Sequence, residues 1–564
     1  MITNKIKILR EKFKKHKIDG YMVPKNDEYF SEYAKNDRLK NISNFSGSAG
    51  IAFILKKKNY LFVDGRYTIQ AQKESAENFH IIEIHKRSPH SIIKNYNLGY
   101  DPMLFTSKSL KNYSLDNNLV TIKDNLIDQI FRTKENKTKP FYSLAKNIVG
   151  ESHQSKISKI SSYLKLNKAD YLFVSAPENV AWLLNIRGYD NPNSPIPNAR
   201  LIIDKNKKLF FIAQKNNSKK IIKQKKISKN QLKDIKDLAN LINKLSGKNF
   251  IIDNNSCSIF YENIIKSKFK ILKKDDPIYK LKSIKNSHEI KHMIDAHKKD
   301  GLALTKFIYW IKNVNKKKIT EVDAQNKLEK FRKLSKDYLL PSFNTIAGSG
   351  SNGAIVHYRA TAETTKKIEK KDIFLVDSGG QYNYGTTDVT RTICFSNQKQ
   401  SIKDVYTNVL KGHIAVYLTN LNKDNNGKKI DIRARKFLKK EGLDYAHGTG
   451  HGVGFFLNVH EGPQSISKYN TIKIKKGMIL SNEPGYYKKN HFGIRIENLI
   501  YVKQLKDKLF FENLTLAPIE KDLINFKLLD KIEKNYLFKY HLNIYSEYSA
   551  LLNKKERKWL ASLI

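Results

Sequence analysis

One pattern of apolar runs occurs twice in the N-terminal half of the chain. In each copy an apolar strand ends near a proline, a glycine-containing segment follows, and a hairpin with a polar turn comes next. The first copy covers residues 20–67 and the second covers residues 170–213. The repeat predicts two related α/β domains in tandem, near residues 1–138 and 139–280, with a chance match of two common hairpin patterns as the alternative.

The pattern of apolar positions changes near residue 281, where longer segments with helical spacing begin. Residues 285–312 have apolar positions that predict a long helix, and Thr320 begins a Thr-x-x-Asp capping pattern that predicts another. From about residue 340 to 520 the pattern predicts mainly strands with glycine-rich turns. The tail 521–564 is predicted to be helical. The apolar residues expected to pack are Ile290, Ile294, Leu302, Phe307 and Ile311 in the long helix, and Leu523, Leu528, Leu529, Ile532 and Trp559 in the tail.

The N-terminal segment is predicted to be an amphipathic helix, because Ile6, Leu9, Phe13 and Ile18 recur near helical spacing. It lacks the apolar region and small-residue cleavage site of a secretory signal. No run of 18 apolar residues predicts a membrane span. With only two cysteines, the chain shows no disulfide framework. These features together predict a cytoplasmic protein that does not bind a membrane.

The formal net charge of +50 raises the question of nucleic-acid binding. However, 90 of the basic residues are lysine and 14 are arginine, whereas nucleic-acid readers favour the bidentate arginine side chain. The lysines are spread along the chain, and the densest run, residues 219–229, is expected to be an exposed loop or helix face. We therefore expect no nucleic-acid partner; useful DNA affinity with steep salt dependence would contradict this expectation.

Candidate chemistry is concentrated between residues 357 and 497. Asp377 ends an apolar strand and Asp388 begins the next, so an antiparallel pair can bring both carboxylates together. His447, His451 and His460 fall within 14 residues of a glycine-rich segment, where the backbone can approach a site closely. Either aspartate alone is more typical of a turn, and a lone histidine of a structural role.

Two glutamates complete the set. Glu483 ends an apolar strand, and the alternation along residues 492–502 places Arg495 and Glu497 on the same face. Burying two charged residues on an apolar strand is costly unless they form ion pairs or bind a metal. The alternative interpretation is an exposed edge strand on which the two residues form an ion pair. Four carboxylates packed together would repel one another, and two divalent cations would neutralise them. The ligand set contains oxygen and imidazole donors but no thiolate. Two ions bound by such a set can hold a bridging hydroxide, which favours hydrolysis.

These residues lie in the motifs VDSGG, TTDVTRT, HGTGHGVG, NEPGYY and IRIEN. In this order they resemble the pita-bread metallopeptidases, and NFSGSAG, FVDGRYTIQA, AWLLNIRG, GSNGAIVHY and VHEGP resemble the long, three-domain Xaa-Pro aminopeptidase branch. The resemblance implies an α/β (α+β) fold. It implies two creatinase-like N-terminal domains at 1–138 and 139–280, a pita-bread catalytic domain at 281–520 and a helical C-terminal extension at 521–564.

The resemblance also implies a role for each site residue. The metal ligands would be Asp377, Asp388, His451, Glu483 and Glu497. Asp388 and Glu497 would bridge two ions, and Glu483 would also carry the proton from the attacking water to the leaving nitrogen. The non-ligand histidines His357, His447 and His460 would orient the peptide and stabilise the oxyanion. Arg495 would hold a ligand carboxylate in place.

The implied activity is metal-dependent removal of the first residue from peptides with proline in second position. The expected cofactors are two divalent ions per subunit, Mn²⁺ first, with Co²⁺, Fe²⁺ or Zn²⁺ as alternatives. A homodimer is also implied. The alternatives are a prolidase that cuts only Xaa-Pro dipeptides, and a catalytically silent binding module on the same fold. Silent members typically lack metal ligands, whereas all five ligand positions are filled here.

Overall fold

The structure is a computed structural model that describes residues 2–131 and 139–564. The chain divides into two compact units, Met1–Tyr279 and Lys280–Ile564. Residue 138, where the sequence analysis places the first domain boundary, lies outside the described residues. No helix in the described part of the chain has the length and apolar character needed to cross a membrane.

The first unit contains two six-stranded sheets. The first has the order β4-β3-β2-β1-β5-β6. Its strands are β1 Gly20–Pro24, β2 Ile51–Leu55, β3 Asn59–Val63, β4 His80–Glu83, β5 Asn97–Tyr100 and β6 Asn118–Thr121. The accompanying helices are α1 Ile2–His16, α2 Arg38–Ser43, α3 Thr68–Ser75, α4 Pro89–Ile92 and α5 Ser107–Ser114.

The second sheet has the order β12-β11-β10-β8-β13-β14, and β7 and β9 pair separately. The strands are β7 Tyr142–Ser143, β8 Tyr171–Val174, β9 Ile186–Arg187, β10 Arg200–Asp204, β11 Leu209–Ile212, β12 Leu232–Lys233, β13 Asn249–Ile252 and β14 Lys270–Lys273. The helices are α6 Lys146–Val149, α7 His153–Leu166, α8 Pro177–Leu184, α9 Lys215–Lys223, α10 Leu238–Lys244 and α11 Ile259–Lys266, and 3₁₀ turns lie at Lys229–Gln231 and Ile235–Asp237.

The two sheets share one topology. In each, the first long strand pairs antiparallel with the following hairpin and parallel with a later strand: β1 with β2 and β5, β8 with β10 and β13. The predicted tandem pair of related α/β domains is therefore confirmed. The lysine-rich run at 219–229 ends α9 and continues into an exposed loop, as expected for a solvated surface.

Helix α1 buries Ile6, Leu9 and Phe13, as its spacing predicts. It ends at His16 because Lys17 adopts a positive φ of 53°. Ile18 is buried, but it lies beyond the helix rather than on its face, so the prediction was wrong for that residue.

The second unit combines helices around several antiparallel sheets. Helix α12 Pro277–Ser283 spans the point where the chain passes from one unit to the other. The helices that follow are α13 Ser287–Asn313, α14 Glu321–Arg332, α15 Gln400–Tyr417, α16 Gly427–Lys440, α17 Lys531–Tyr548 and α18 Lys554–Ala561. Short 3₁₀ turns lie at Lys316–Lys318, Gly350–Ala354, Lys521–Leu523, Phe526–Leu528 and Ser549–Leu551.

The strands of this unit are β15 Tyr338–Pro341, β16 Ile346–Ser349, β17 Ile373–Ser378, β18 Gly380–Tyr382, β19 Gly385–Thr386, β20 Val389–Cys394, β21 Gly450–Gly452, β22 Glu461–Ile466, β23 Ile479–Asn482, β24 Gly485–Lys488, β25 Phe492–Arg495, β26 Asn498–Leu505 and β27 Lys508–Asn513. They form the sheets β15-β18-β19, β16-β17-β20, β22-β21-β23-β26-β27 and β24-β25. The predicted strand-rich stretch is thus interrupted by α15 and α16, two amphipathic helices that the sequence analysis did not identify.

Helix α13 begins with a capping box between Asn286 and Glu289, and α14 begins at the predicted Thr320 box with Asp323. The buried face of α13 differs from the predicted one. Ile290, Ile294 and Leu302 are only partly buried, whereas Phe307 and Ile311 are buried as expected. The remaining core positions of this face include the polar residues His297 and Asp300, which a purely apolar pattern cannot reveal.

The C-terminal extension packs through α17 against the ends of β26 and β27 and the segment that follows them. Leu523 and Leu529 are buried as predicted, but Leu528 and Ile532 are exposed, contrary to prediction. Arg391 on β20 connects the C-terminal extension with the backbone of Glu497 through hydrogen bonds. Its guanidinium donates to the carbonyl of Glu497 at 2.6 Å. Its other acceptors are the carbonyls of Thr390, Ala517 and Pro518, the side-chain oxygen of Asn498 and the hydroxyl of Tyr540 on α17.

A buried charge cluster secures the start of the second unit. Lys282 and Lys285 both pair with Glu461 of β22, at 2.8 and 2.5 Å, and all three side chains are buried. Burial lowers the pKa of Lys285 below its ordinary value. Glu461 is thus the carboxylate that both ammonium groups contact.

We expect Glu461→Gln to lower the free energy of unfolding by about 3–5 kcal/mol, because two buried lysines lose their counter-charge. The matched control is Glu512→Gln, which breaks the exposed pair between Lys503 and Glu512 and should cost less than about 1 kcal/mol. Chemical denaturation of the full chain measures both. Equal effects of the two substitutions would contradict the expectation.

Candidate metal centre

Asp377 and Asp388 are placed by one antiparallel hairpin. Strands β17 and β20 pair with Asp377 opposite Thr390, and Asp388 immediately precedes β20. Both strands are buried along their length, so both carboxylates are held inside the unit. Oxygen atoms of these aspartates and Glu497 lie within 4.8 Å of one another. The proximity expected from the sequence is confirmed.

The two glutamates are brought together by a second strand pair. Strands β23 and β26 are antiparallel, with Asn482 opposite Asn498. Glu483 directly follows β23 and Glu497 directly precedes β26, so both side chains emerge at the same end of the pair. Glu497 accepts a hydrogen bond from the Thr390 hydroxyl at 2.7 Å. This bond connects the β23–β26 pair with the β17–β20 pair.

His451 lies on β21, beside β23. Its Nδ1 is 2.9 Å from the carbonyl oxygen of Gly452, which leaves Nε2 to face the carboxylates. Nε2 lies 3.4 Å from Asp388 Oδ2 and 3.5 Å from Glu483 Oε1. The preceding Gly450 permits this approach, because a Cβ there would lie 1.9 Å from the carbonyl oxygen of Ser481. The structure thus brings all five predicted ligands into overlapping groups.

The electrostatics of these groups favour bound cations. Burial, followed by the nearby charges of Asp377 and Glu483, raises the pKa of Asp388 well above its ordinary value. Burial and the charge of Asp388 raise the pKa of Glu497 in the same way. Asp377 Oδ1 is buried and has no hydrogen-bond partner among the described residues. The crowded carboxylates, the Asp377 oxygen without a hydrogen-bond partner and the His451 nitrogen that faces the carboxylates form a donor set that fits divalent metal ions.

A hydrogen-bonded chain connects Asp377 with His447. Arg495 Nη2 donates to Asp377 Oδ2 at 2.6 Å, and its Nη1 donates to the Tyr487 hydroxyl at 2.6 Å. That hydroxyl lies 2.8 Å from His447 Nε2, while His447 Nδ1 lies 2.7 Å from the carbonyl oxygen of Gly448. The geometry therefore has Tyr487 donating to His447 Nε2. Burial, the largest cause, raises the pKa of Tyr487 to about 12, so its hydroxyl keeps its proton.

The other two predicted histidines lie in different settings. The His460 ring packs edge-on against His451 with ring centroids 4.3 Å apart, and a nitrogen of His460 groups with Asp388 and His451. His357 is partly buried and follows Val356, whose carbonyl oxygen accepts from Arg495 Nη2 at 3.4 Å. His460 is therefore part of the carboxylate cluster, and the backbone beside His357 contacts the arginine that holds Asp377.

Three residues of this site were not identified by the sequence analysis. Thr390 bonds both Glu497 and the Nε of Arg495, Ser481 bonds Glu483 and the backbone nitrogen of His451, and Tyr487 bonds Arg495. Thr390 follows Asp388 by two positions and Ser481 precedes Glu483 by two. Residues two apart on an extended strand share a face, so this spacing could have identified Thr390 and Ser481. It does not apply to Tyr487, which lies four positions after Glu483.

Three kinds of family model match the chain. The model described as "Metallopeptidase family M24" matches residues 291–504. Two models described as "Creatinase/Prolidase N-terminal domain" match residues 5–130 and 132–289. The model for the "C-terminal region of peptidase_M24" matches residues 507–563.

Full-length relatives and solved structures agree with these matches. The chain is 36% identical to "Xaa-Pro aminopeptidase 1" of Dictyostelium discoideum, covering 100% of this chain and 96% of the relative. It is 35% identical to "Probable Xaa-Pro aminopeptidase P" of Laccaria bicolor, covering 99% and 92%. The crystal structure of X-prolyl aminopeptidase from Caenorhabditis elegans, described as a cytosolic enzyme with a di-nuclear active site, superposes with a TM-score of 0.91 at 28% identity, covering 100% and 99%.

A prolidase from Pyrococcus horikoshii is more distant. It superposes with a TM-score of 0.52 at 25% identity and covers 65% of this chain and 99% of its own. The expected fold class, two creatinase-like domains before a pita-bread catalytic domain and a C-terminal extension, is confirmed. The chain belongs to metallopeptidase family M24.

Proposed function

We propose that this protein is a Xaa-Pro aminopeptidase, a hydrolase that releases the first residue from peptides with proline in second position. The observation that carries the proposal is the convergence of four carboxylates and one imidazole from separate motifs on one partly buried spot. The full-length similarity to relatives named Xaa-Pro aminopeptidase supports the substrate class.

We assign the metal ligands from the overlap of the groups. Asp377, Asp388 and Glu497 form one group, and His451, Glu483 and Glu497 form another. Glu497 is common to both, and Asp388 lies close to His451, which supports these two carboxylates as bridges between two divalent ions, with Mn²⁺ as the first choice. When bound, such a pair supplies Lewis acidity that polarises a carbonyl and acidifies a nearby water at neutral pH.

Glu483 is the residue we assign to proton transfer. Its carboxylate is partly accessible, and its Oε1 accepts from the Ser481 hydroxyl at 3.0 Å, which fixes the direction of the side chain. The prolyl nitrogen of the substrate carries no hydrogen, so it needs a proton to leave as an amine. Glu483 takes the proton of the attacking water and delivers it to that nitrogen.

The histidines and Arg495 orient the reaction. His357, His447 and His460 hold the peptide and stabilise its carbonyl oxygen as that atom gains negative charge. Arg495 fixes Asp377 Oδ2 and so leaves Oδ1 available to bind an ion. A shaped apolar slot that requires no N–H donor from the second residue would select proline.

The domain limits, the cellular location and the oligomeric state are further proposals. We propose domain limits at 1–138, 139–280, 281–520 and 521–564, an order that the matched family segments support. A cytoplasmic location is supported by the similarity to the Caenorhabditis elegans enzyme, which is described as cytosolic. We also propose a homodimer, as the resemblance to the three-domain branch implies.

The full chain, stripped of metal with a chelator and resupplied with Mn²⁺, should release Xaa from a Xaa-Pro-Xaa tripeptide. We expect kcat/KM to be at least about tenfold higher than for the matching Xaa-Ala-Xaa peptide, a difference of about 1.4 kcal/mol in transition-state binding. Chromatographic detection of the free first residue measures the reaction. Cleavage of Xaa-Pro dipeptides alone would identify a prolidase, and Mn²⁺ binding without cleavage would identify a silent binding module.

A further inference from the structure

A buried ion pair lies beside the hairpin that carries Asp377 and Asp388. Asp300 on α13 accepts from Arg332 at the end of α14, with Nε 2.7 Å from Oδ1 and Nη2 3.3 Å from Oδ2. Both residues are almost fully buried. Burial alone would raise the pKa of Asp300, but Arg332 and neighbouring hydroxyls lower it overall, so the carboxylate stays charged.

The remaining hydrogen bonds of this pair reach the hairpin at three hydroxyls. The Thr387 hydroxyl donates to Asp300 Oδ2 at 2.9 Å, and the Tyr382 hydroxyl donates to Asp300 Oδ1 at 2.8 Å. Arg332 Nη2 donates to the Ser378 hydroxyl at 3.0 Å. All three hydroxyl-bearing residues are fully buried.

Two of these hydroxyls flank the metal ligands in sequence. Ser378 directly follows Asp377, and Thr387 directly precedes Asp388. Asp300 therefore binds the residue next to Asp388. Arg332 binds the residue next to Asp377. Tyr382 belongs to the connection between the strands and is not adjacent in sequence to either ligand.

A buried ion pair is weak evidence that the pair stabilises the fold, because well-packed apolar residues of similar volume often give equal or greater stability. Such a pair is more readily explained by a geometric requirement. Removing groups that orient metal ligands typically lowers metal affinity about 10–100-fold. The Asp300–Arg332 pair meets the description of such a group, because it fixes one residue on each side of the ligand pair.

We propose that Asp300 and Arg332 are positioning residues that set the separation of the Asp377 and Asp388 carboxylates, and thereby the affinity of the site for its two cations. The proposal rests on the metal binding proposed above, but not on the identity of the peptide substrate. The Asp300–Arg332 ion pair acts through Ser378 and Thr387. It holds the Asp377 and Asp388 carboxylates in place against their mutual repulsion before the ions bind.

The test compares two single-hydroxyl deletions on the same carboxylate. Thr387→Val and Tyr382→Phe each remove one hydrogen bond to Asp300, but only Thr387 adjoins a ligand. Mn²⁺ titration calorimetry on the metal-stripped full chain gives the affinity, and the thermal midpoint of the metal-free protein gives the structural cost. We expect Thr387→Val to weaken Mn²⁺ binding at least about tenfold and Tyr382→Phe to weaken it less than about threefold. The midpoint of Thr387→Val should fall further than that of Tyr382→Phe, because the Thr387 hydroxyl also accepts from the Gly380 backbone N–H at 2.9 Å.

Two further variants secure the interpretation. Thr387→Ser retains the hydroxyl and should restore wild-type affinity, and Ser378→Ala tests the other flank if Thr387→Val does not fold. Equal loss of affinity in the Thr387→Val and Tyr382→Phe proteins, or wild-type affinity in Thr387→Val, overturns the positioning role while leaving the proposed function intact. A wild-type chain that binds no Mn²⁺ overturns both.

Discussion

Asp388→Asn should abolish peptidase activity and at the same time stabilise the metal-free protein. Asp388 is assigned as a bridge between the two ions, so its loss should lower kcat/KM by more than about 100-fold, the upper end for residues that only orient a ligand. Without metal, burial and the neighbouring carboxylates disfavour its charged form, as the raised pKa shows. The neutral amide removes that repulsion, so we expect the free energy of unfolding of the metal-free chain to rise by about 1–3 kcal/mol at neutral pH.

The sign follows from proton linkage. A carboxyl group whose pKa is raised by folding binds more protons in the folded state, so it destabilises the fold increasingly as the pH rises above its ordinary pKa. The substitution should therefore stabilise the metal-free protein at neutral pH and have little effect at strongly acidic pH. Denaturation with and without Mn²⁺ measures both effects, and the exposed Asp507→Asn is the control for charge alone. A destabilised metal-free Asp388→Asn protein would contradict the crowding of charge at this site.

Glu483→Gln is expected to lower kcat by about 10²–10⁴-fold, the usual contribution of a positioned acid or base. The amide oxygen can still accept from Ser481 and face the ions, but the side chain can no longer carry a proton. Steady-state kinetics at saturating Mn²⁺, with the metal content of each sample measured in parallel, separates loss of the proton carrier from loss of metal.

A suitable control for this substitution is Glu512→Gln, which makes the same chemical change on the surface of the second unit. It should leave kcat within about twofold of the wild-type value, because surface charges away from a site contribute little. A Glu483→Gln protein that holds its metal and retains more than about a tenth of the wild-type kcat would assign proton transfer to another group.

The sequence was sufficient for features that depend on local pattern. The repeated strand and hairpin predicted two sheets of one topology, and the Thr-x-x-Asp pattern at Thr320 predicted the start of α14. The ends of the strands around Asp377 and Asp388 also followed from alternation and glycine placement. Each of these features is set by residues close together in the chain, so one sequence reveals it.

Features that depend on distant partners were missed. The core face of α13 includes Asp300, which is buried only because Arg332 and two hydroxyls compensate it. Leu528 and Ile532 are apolar but exposed, whereas Leu523 and Leu529 of the same tail belong to a buried core cluster. Apolar spacing cannot distinguish these cases, because burial is decided by segments far away in sequence.

The contacts of Arg391 bear on how the second unit loses its structure. Its guanidinium joins the backbone of Glu497 to the carbonyls that lead into the C-terminal helices and to Tyr540 itself. If α17 detached, this buried cation would lose the Tyr540 hydroxyl as an acceptor, directly beside a carboxylate assigned to the ions. We therefore expect local opening of the tail to disturb the backbone of Glu497, so that the extension supports the proposed metal centre.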